Sequence, residues 1–486
     1  MTKRKPPTRP RTAARRTASA GDLAVRAAAI LPERLPMLRW FGAKSRTIAS
    51  VRPLDHAPVP DTPGILALFE VAFEDGSHEV YQTPVIPAPR GSVADAMEDA
   101  AFCRSLVERI RNGDTLDGQA GMFRFVPTPA FAEVMPEPPA DAARVRAEQS
   151  NTSVVFGQKA ILKLLRKLEP GLNPDFEVSD ALTRRGSFHG TPRLLGSVTY
   201  IPAAGEPTTL AVLQEFLPNQ GDAWAAALAR LAEYFTAALG DPGQAFARTL
   251  AAADAQEARR LGALTGQLHA ALAAQTDDPA FTPEPIAPAD VAAWIAGMEA
   301  QLERAMSELA AALPNLPDTA RESAQGLVQD ARRLQGRPAA LKALTAEAVT
   351  KIRVHGDYHL GQLLRTEEGF VVLDFEGEPA RPLDERRGKQ CALKDVAGML
   401  RSYAYAAQVA LLRAAEDSPE DSPTCLPGSC RGPRPGRRGC GPPFSKATWR
   451  RRGSARRRFC RERGRRWTPS SASSNWTRRP TSSATS

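Results

Sequence analysis

The sequence predicts an α+β protein of two lobes, a β-rich N-lobe followed by a helical C-lobe, with an extra β-rich cap domain at the N-terminal side. Three observations predict this. Residues 65–86 and 151–218 contain apolar–polar alternation of the kind strands require. From Trp224 to about Ala348 the chain is rich in Ala and Leu and reads as helices interrupted by prolines. Inside this helical part a short β-run, "GFVVLDF", follows the stretch "HGDYHLGQLL" at residues 355–364.

Taken in order, residues 1–20 form a basic leader without an apolar stretch behind it, so a secretory signal is not expected and disorder is. Residues 21–135 are read as the cap. They open with an Ala-rich helix broken by Pro32 and Pro36, and continue with "ILALFEVAFEDGSHEVYQTPVI", a hairpin around an Asp-Gly turn. The Pro-rich residues 126–141 read as a linker. Residues 136–218 are read as the N-lobe. It holds two strands around a Gly-Gln turn in "NTSVVFGQKAILKLLRKLEPG", a helix with an acidic start in "NPDFEVSDALTRRG", and a strand in "TTLAVLQEFLP". Residues 219–415 are read as the helical C-lobe, with breaks near Pro242, Pro279 to Pro288, and Pro314.

The formal charge of +10 does not describe the body of the protein. Residues 1–20 hold seven Lys/Arg and no acid, and residues 424–486 hold seventeen against Glu462 alone, which leaves residues 21–423 near −13. An acidic body argues against a basic groove for nucleic acid. Only Cys103 and Cys391 lie in it, a usage that fits a reducing cytoplasm, and no apolar run approaches membrane-spanning length.

From Thr424 onward there is no Ile, Val, Met, Tyr or Asp, and neither helical nor strand periodicity. GC-rich DNA read out of frame yields such Arg, Pro, Gly and Ser runs. Back-translating residues 466–486 and dropping two nucleotides can produce a string with apolar residues at helical spacing, "LDALLRVFELDKAADELRYE". Residues 442–449 at the same offset can give "AVLEGYL". Residues 416–486 are therefore expected to be a non-native, disordered tail following a change of reading frame.

The stretch at 355–364 has two readings. His355 and His359 at helical spacing could bind zinc, but Gly356 and Gly361 disfavour a helix and no Glu stands at the base position of H-E-x-x-H. The alternative is a phosphoryl-transfer loop, which needs a carboxylate beside the acceptor hydroxyl, oxygen ligands for Mg²⁺, and a cation for the nucleotide phosphates. Asp357 has the first place. Gln362, five residues on, has the spacing of the metal-binding amide in H-R-D-x-x-x-x-N, and Asp374 at the end of "GFVVLDF" that of the second metal ligand. His355 and His359 then become hydrogen-bonding struts. Upstream, "AILK" ends at Lys163, in the manner of a strand-borne lysine that contacts phosphates, and Glu177 in the next predicted helix is its expected partner. No G-x-G-x-x-G precedes Lys163, so "EQSNTSVVF" is expected to cover the phosphates through backbone and polar donors at Ser150, Asn151, Thr152 and Ser153.

From about Leu31 to Ala407 the chain resembles the bacterial maltokinases, in the aminoglycoside-phosphotransferase-like branch of the protein-kinase fold. The resemblance rests on "LPERLPMLRWFGAK", "EQSNTSVVFG", "ILKLLRKLEPGLNPDFEV", "LQEFLPNQGDAW", "HGDYHLGQLL", "DFEGEP" and "RRGKQCALKDVAGMLRSYAYA". "KQCALKD" departs from the more usual Ser-Pro at Cys391-Ala392. Such similarity implies a bilobal protein-kinase-like fold with an N-terminal cap. It also implies ATP-dependent phosphorylation of maltose to maltose 1-phosphate for α-glucan synthesis, and a trehalose-to-maltose converting enzyme as a candidate partner. Position by position, Asp357 would be the base, Gln362 and Asp374 would hold Mg²⁺, and Glu376 would lie close to the metal or acceptor. Lys163 and Glu177 would pair on the ATP side, and Gln214, Glu215 and Phe216 would belong to a hinge strand whose backbone meets adenine. Members of the group end in a helical segment similar to the shifted reading of residues 466–486. Its loss would expose apolar surface on residues 395–412.

Three alternatives stand beside maltose phosphorylation. One is a kinase for another sugar or aminosugar such as glucosamine, and one a kinase-fold remnant impaired by its altered C-terminus. The third, a nucleic-acid binder working through the Arg-rich tail, predicts strongly salt-dependent binding.

Overall fold

The computed structural model describes residues 19–145, 150–186, 188–240, 245–274, 276–345 and 349–416. Of the expected leader (residues 1–20) and tail (residues 416–486), residues 1–18 and 417–486 lie outside the described residues, while Ser19 and Ala20 begin the first helix and Glu416 ends the last.

Helix α1 (Ala20–Arg34) starts at a capping box in which Ser19 and Asp22 satisfy each other's backbone amides. Pro32 does not break it, contrary to the sequence expectation. A proline in the last turn forfeits a single amide bond, and the helix runs on to Arg34. Leu23, Ala27 and Leu31 on its buried face join Phe69, Val71 and Tyr81 of the sheet below. That sheet is antiparallel and built from β1 (Ile48–Pro58), β2 (Ile65–Phe73), β3 (His78–Gln82), β4 (Val85–Pro87) and β5 (Val93–Asp95). The β2–β3 hairpin turns through Gly76 at φ 81°, where the Asp-Gly signal places it.

Next come α2 (Ala100–Asn112), β6 (Thr115–Asp117), β7 (Gly121–Pro127) and α3 (Pro129–Val134). The segment expected as a linker therefore contains a helix, whose Ala130 and Phe131 are buried. The chain continues through β8 (Ala143–Arg144), β9 (Thr152–Phe156), β10 (Ala160–Leu164), β11 (Lys167–Leu168), α4 (Pro174–Arg185), β12 (Leu194–Pro202) and β13 (Thr208–Glu215). A second sheet has the order β6-β7-β12-β13-β10-β9-β8, while β11 pairs back with β3 of the first. The boundary expected near residue 135 is thus crossed by a sheet. The reason is the core: Phe102, Leu106 and Ile110 of α2 lie in one cluster with Phe123 and Phe125 of β7, Phe156 of β9 and Leu162 of β10. Each such side chain contributes about 1.5–3 kcal/mol when fully buried, so cap and N-lobe are held as one packed body.

The helical part comprises α5 (Ala223–Gly240), α6 (Ala245–Ala273), α7 (Pro288–Ala312), α8 (Asp318–Gln329) and α9 (Ala331–Gln335), with β14 (Glu284–Pro285) paired to β15 (Thr350–Lys351). The helix ends match the expected breaks at Pro279 to Pro288 and Pro314, while Pro242 lies outside the described residues. A hairpin of β16 (Leu363–Arg365) and β17 (Phe370–Val372) follows, then α10 (Leu383–Arg387) and α11 (Leu393–Glu416). The core here unites Val178 and Leu182 of α4 with Leu268 and Leu272 of α6, Leu363, Val372, Phe375 and Met399. On α11, Leu400 and Leu412 are exposed. Cys103 is buried and free, and Cys391 is also free. No helix among the described residues is long and apolar enough to cross a membrane.

Candidate active site

Lys163 stands on β10, the strand between β9 and β13, opposite Ser153 on one side and Val212 on the other. Its Nζ lies 2.6 Å from Asp374 Oδ1, 2.7 Å from Glu376 Oε1 and 3.4 Å from Asp175 Oδ2. Burial disfavours its charge, but the three carboxylates outweigh burial and hold its pKa well above the ordinary lysine value.

The three acids arrive from two directions. Asp175 lies in the first turn of α4, one residue after Pro174, where the Asn173 side chain caps the helix by accepting the Asp175 N–H at 2.8 Å. It is buried, and its Oδ1 accepts the Phe375 N–H at 3.1 Å. Asp374 and Glu376 lie just past β17. Asp374 adopts φ 62°, a left-handed conformation that Asp tolerates better than most residues. Gln362 Nε2 donates to Asp374 Oδ2 at 3.1 Å, and Asn151 Nδ2 donates to Glu376 Oε1 at 3.1 Å.

The two strand-end acids differ electrostatically. Burial would raise the pKa of Asp374, yet Lys163 holds it below the usual carboxylate range. Glu376 is pushed up by burial and by repulsion from Asp374 and Asp175, which Lys163 offsets only in part. Among the described residues, Asp175, Asp374 and Glu376 are the group whose oxygens, all within 4.8 Å of one another, could share a metal ion. Carboxylate oxygens are the ligands a hard divalent cation such as Mg²⁺ takes, so Asp175, Asp374 and Glu376 fit such a role, whereas Gln362, expected as a ligand, turns its Nε2 toward Asp374.

Asp357 is about one-third exposed, with Oδ2 3.8 Å from His359 Nε2. Its loop is strapped from both sides. Asp395, buried on α11, accepts the N–H groups of His355 and Gly356 at 2.9 Å each and lies 2.8 Å from His269 Nε2. His355 Nε2 donates to the Leu373 carbonyl at 2.8 Å, linking the loop to the strand that carries Asp374. His359 Nδ1 accepts the Gly361 N–H at 3.0 Å. The two histidines thus make separate local bonds and do not share a site of the zinc type. At Gly398, also on α11, a methyl group would meet the Tyr358 carbonyl oxygen at 2.7 Å. Gly398→Ala is therefore expected to cost about 1–3 kcal/mol by overpacking and to displace the residue next to Asp357. Thermal unfolding reads the first effect and ADP release the second.

Other expected positions fall differently. Lys163 and Glu177 do not pair. Glu177 is two residues further along α4 than Asp175, and it is held instead by Arg353 at 3.0 Å and Arg387 at 2.6 Å. Thr152 and Ser153 are buried strand residues of β9, and the Thr152 hydroxyl accepts from Arg166 Nε at 2.8 Å. Ser150 is exposed at the edge of the described segment, and residues 146–149 lie outside it. On β13, Gln214 Nε2 donates to Ser179 Oγ at 3.1 Å. The Glu215 N–H donates to the Arg193 carbonyl at 2.9 Å and the Phe216 N–H to the Lys159 carbonyl at 2.8 Å, so neither amide is left for a nucleotide base.

Motif spacing in the sequence does not single out Asp175, Asp395, His269 or Arg353. Asp175 carries a local signal, the Asn-Pro-Asp cap of a helix. His269 and Asp395, 126 residues apart, carry none.

A lysine on a central strand facing acids at the end of a second-lobe hairpin, with a carboxylate-bearing loop alongside, is an arrangement of the kinase-like fold. The chain belongs to the APH phosphotransferase enzyme family, whose model matches residues 141–416. It is 33% identical over 278 residues to a glucosamine kinase of Streptacidiphilus jiangxiensis, covering 56% of each chain. A glucosamine kinase of Mycolicibacterium smegmatis is 31% identical over 266 residues, 55% of this chain and 59% of that one. The chain thus spans somewhat over half the length of these curated relatives. A solved glucosamine kinase in complex with glucosamine, ADP and inorganic phosphate is similar with TM-score 0.55 and 26% identity over 80% of both chains.

Proposed function

We propose that the protein transfers the γ-phosphoryl group of ATP to a sugar hydroxyl. The observation that carries this is the meeting of Lys163 with Asp374 and Glu376, residues more than two hundred positions apart, beside a loop that leaves Asp357 accessible. In this reading Lys163 neutralises phosphate oxygens and Asp357 accepts the proton of the acceptor hydroxyl. Asp374 would hold Mg²⁺ with Glu376 beside it, and Gln362 would join them by turning its amide oxygen to the side where its Nε2 now donates to Asp374. Bound there, the cation supplies charge neutralisation for the phosphoryl oxygens. Asn151, through its bond to Glu376, joins the strand expected to face the phosphates to the same cluster.

For the acceptor, the motif resemblance supports maltose, phosphorylated at its anomeric hydroxyl. A second reading, glucosamine, is favoured by the printed names of the relatives at 31–33% identity. ADP release with ATP and Mg²⁺, measured in parallel with maltose and with glucosamine, separates them. Turnover with maltose alone establishes the first reading and turnover with glucosamine alone the second. ATP binding without ADP release from either would point to a silent kinase-fold remnant. A cytoplasmic location, and association with a trehalose-to-maltose converting enzyme, are part of the maltose reading.

A further inference from the structure

Glu177 occupies a setting that the reaction as proposed does not use. Its carboxylate is 8% exposed and bound by two guanidinium groups. Arg353 Nη1 donates to Oε2 at 3.0 Å; Arg387 Nε donates to Oε2 at 3.0 Å and Nη2 to Oε1 at 2.6 Å. Arg353 is itself buried, stands over the Phe281 ring at 5.0 Å, and precedes His355 of the Asp357 loop by two residues. Arg387 ends α10, just beyond the loop that carries Asp374 and Glu376. One carboxylate on the first turn of α4 is therefore gripped by both segments that bear the candidate reacting groups.

Two residues earlier on the same turn, Asp175 reaches Lys163 and the Phe375 amide. Residues i and i+2 project to opposite sides of a helix, so the two first-turn acids of α4 divide the work: one faces the lysine, the other the arginines. We infer that Glu177 is a positioning residue, which with Arg353 and Arg387 clamps α4 to the Asp357 and Asp374 loops and thereby fixes Asp175 against Lys163. In this protein α4 is then a fixed strut between the lobes. A bidentate arginine grip supplies orientation as well as attraction, and the second guanidinium adds a further charge-assisted hydrogen bond to the same carboxylate.

The inference rests on the kinase reading only in assuming that Lys163 contacts ATP, so it is tested by direct Mg·ATP binding to the full chain, without a sugar. Glu177→Gln is compared in the wild-type and Asp175→Asn backgrounds by calorimetric titration. Acting through Asp175, the clamp should lose about 5- to 10-fold in ATP affinity when broken in the wild type, and less than about twofold once Asp175 is already amidated, the non-additivity expected of coupled neighbours. Arg387→Met, which removes the more exposed arm, should show the same pattern and guards against misfolding of the Glu177 variant. Equal losses in both backgrounds, or an unchanged affinity accompanied only by a lower melting temperature, overturn the positioning role. Failure of the wild-type chain to bind Mg·ATP at all sinks the kinase reading and this inference with it.

Discussion

Asp357→Asn is expected to lower phosphoryl transfer by about 10²- to 10⁴-fold, the contribution typical of a positioned general base. Asparagine keeps the size of the side chain and can still face His359, 3.8 Å away, but cannot take a proton from the acceptor. Mg·ATP affinity should stay within about twofold, because the substitution leaves the ion pairs of Lys163 with Asp374 and Glu376 intact. In kinetic terms kcat falls while binding holds, the signature of an interaction that matters in the transition state. ADP release and ATP titration on the same preparation check both parts. A variant retaining most of the wild-type rate would remove Asp357 from the base role.

Asp95→Ala is expected to cost about 3–5 kcal/mol of stability, as when one partner of a buried ion pair is removed. The reason is Arg166, whose side chain is 0% exposed. Its guanidinium donates to Asp95 at 2.5 Å and to Thr152 at 2.8 Å, and lies over the Trp40 ring at 4.8 Å. Burial already draws the Arg166 pKa below the ordinary guanidinium value, with Asp95 opposing that effect. Without Asp95 a full charge is left in the interior. By contrast Arg52→Ala, which breaks a 2.7 Å pair with Glu70 through a largely exposed arginine, should cost no more than about 1 kcal/mol. Urea or thermal unfolding of the two variants tests the contrast, and equal losses would show that burial of Arg166 is not what matters. The bond also has a place near the site, since the Arg166 N–H donates to Asn151 Oδ1 at 3.4 Å.

Much of this was legible in the linear sequence because it is local. The alternation in "ILALFEV" and "AILKL", the Asp-Gly turn, the Asn-Pro-Asp cap and the breaks at Pro279 to Pro288 and Pro314 each state a conformation within a few residues. Spacing within one loop is also local, which is why "HGDYHLGQLL" and the strand-end "DFEGEP" could be read together as parts of one site. The family follows from those motifs and from the match over residues 141–416.

What the tertiary structure decided is which of several chemically equivalent groups meet. Asp175 and Glu177 are both acids in the first turn of one helix, and sequence spacing to Lys163 cannot tell them apart. Their roles are set by the rotation of α4 against β10 on one side and Arg353 and Arg387 on the other. The same holds for the hinge strand, where the amides of Glu215 and Phe216 look available until Arg193 and Lys159 are seen to accept them. It holds too for the cap, whose separation near residue 135 disappears because β7 pairs with β12 and α2 buries Phe102, Leu106 and Ile110 against both sheets. Local pattern determines what each segment is, whereas partner choice across long stretches of chain is settled by packing, where a few buried side chains outweigh any preference written in the segment itself.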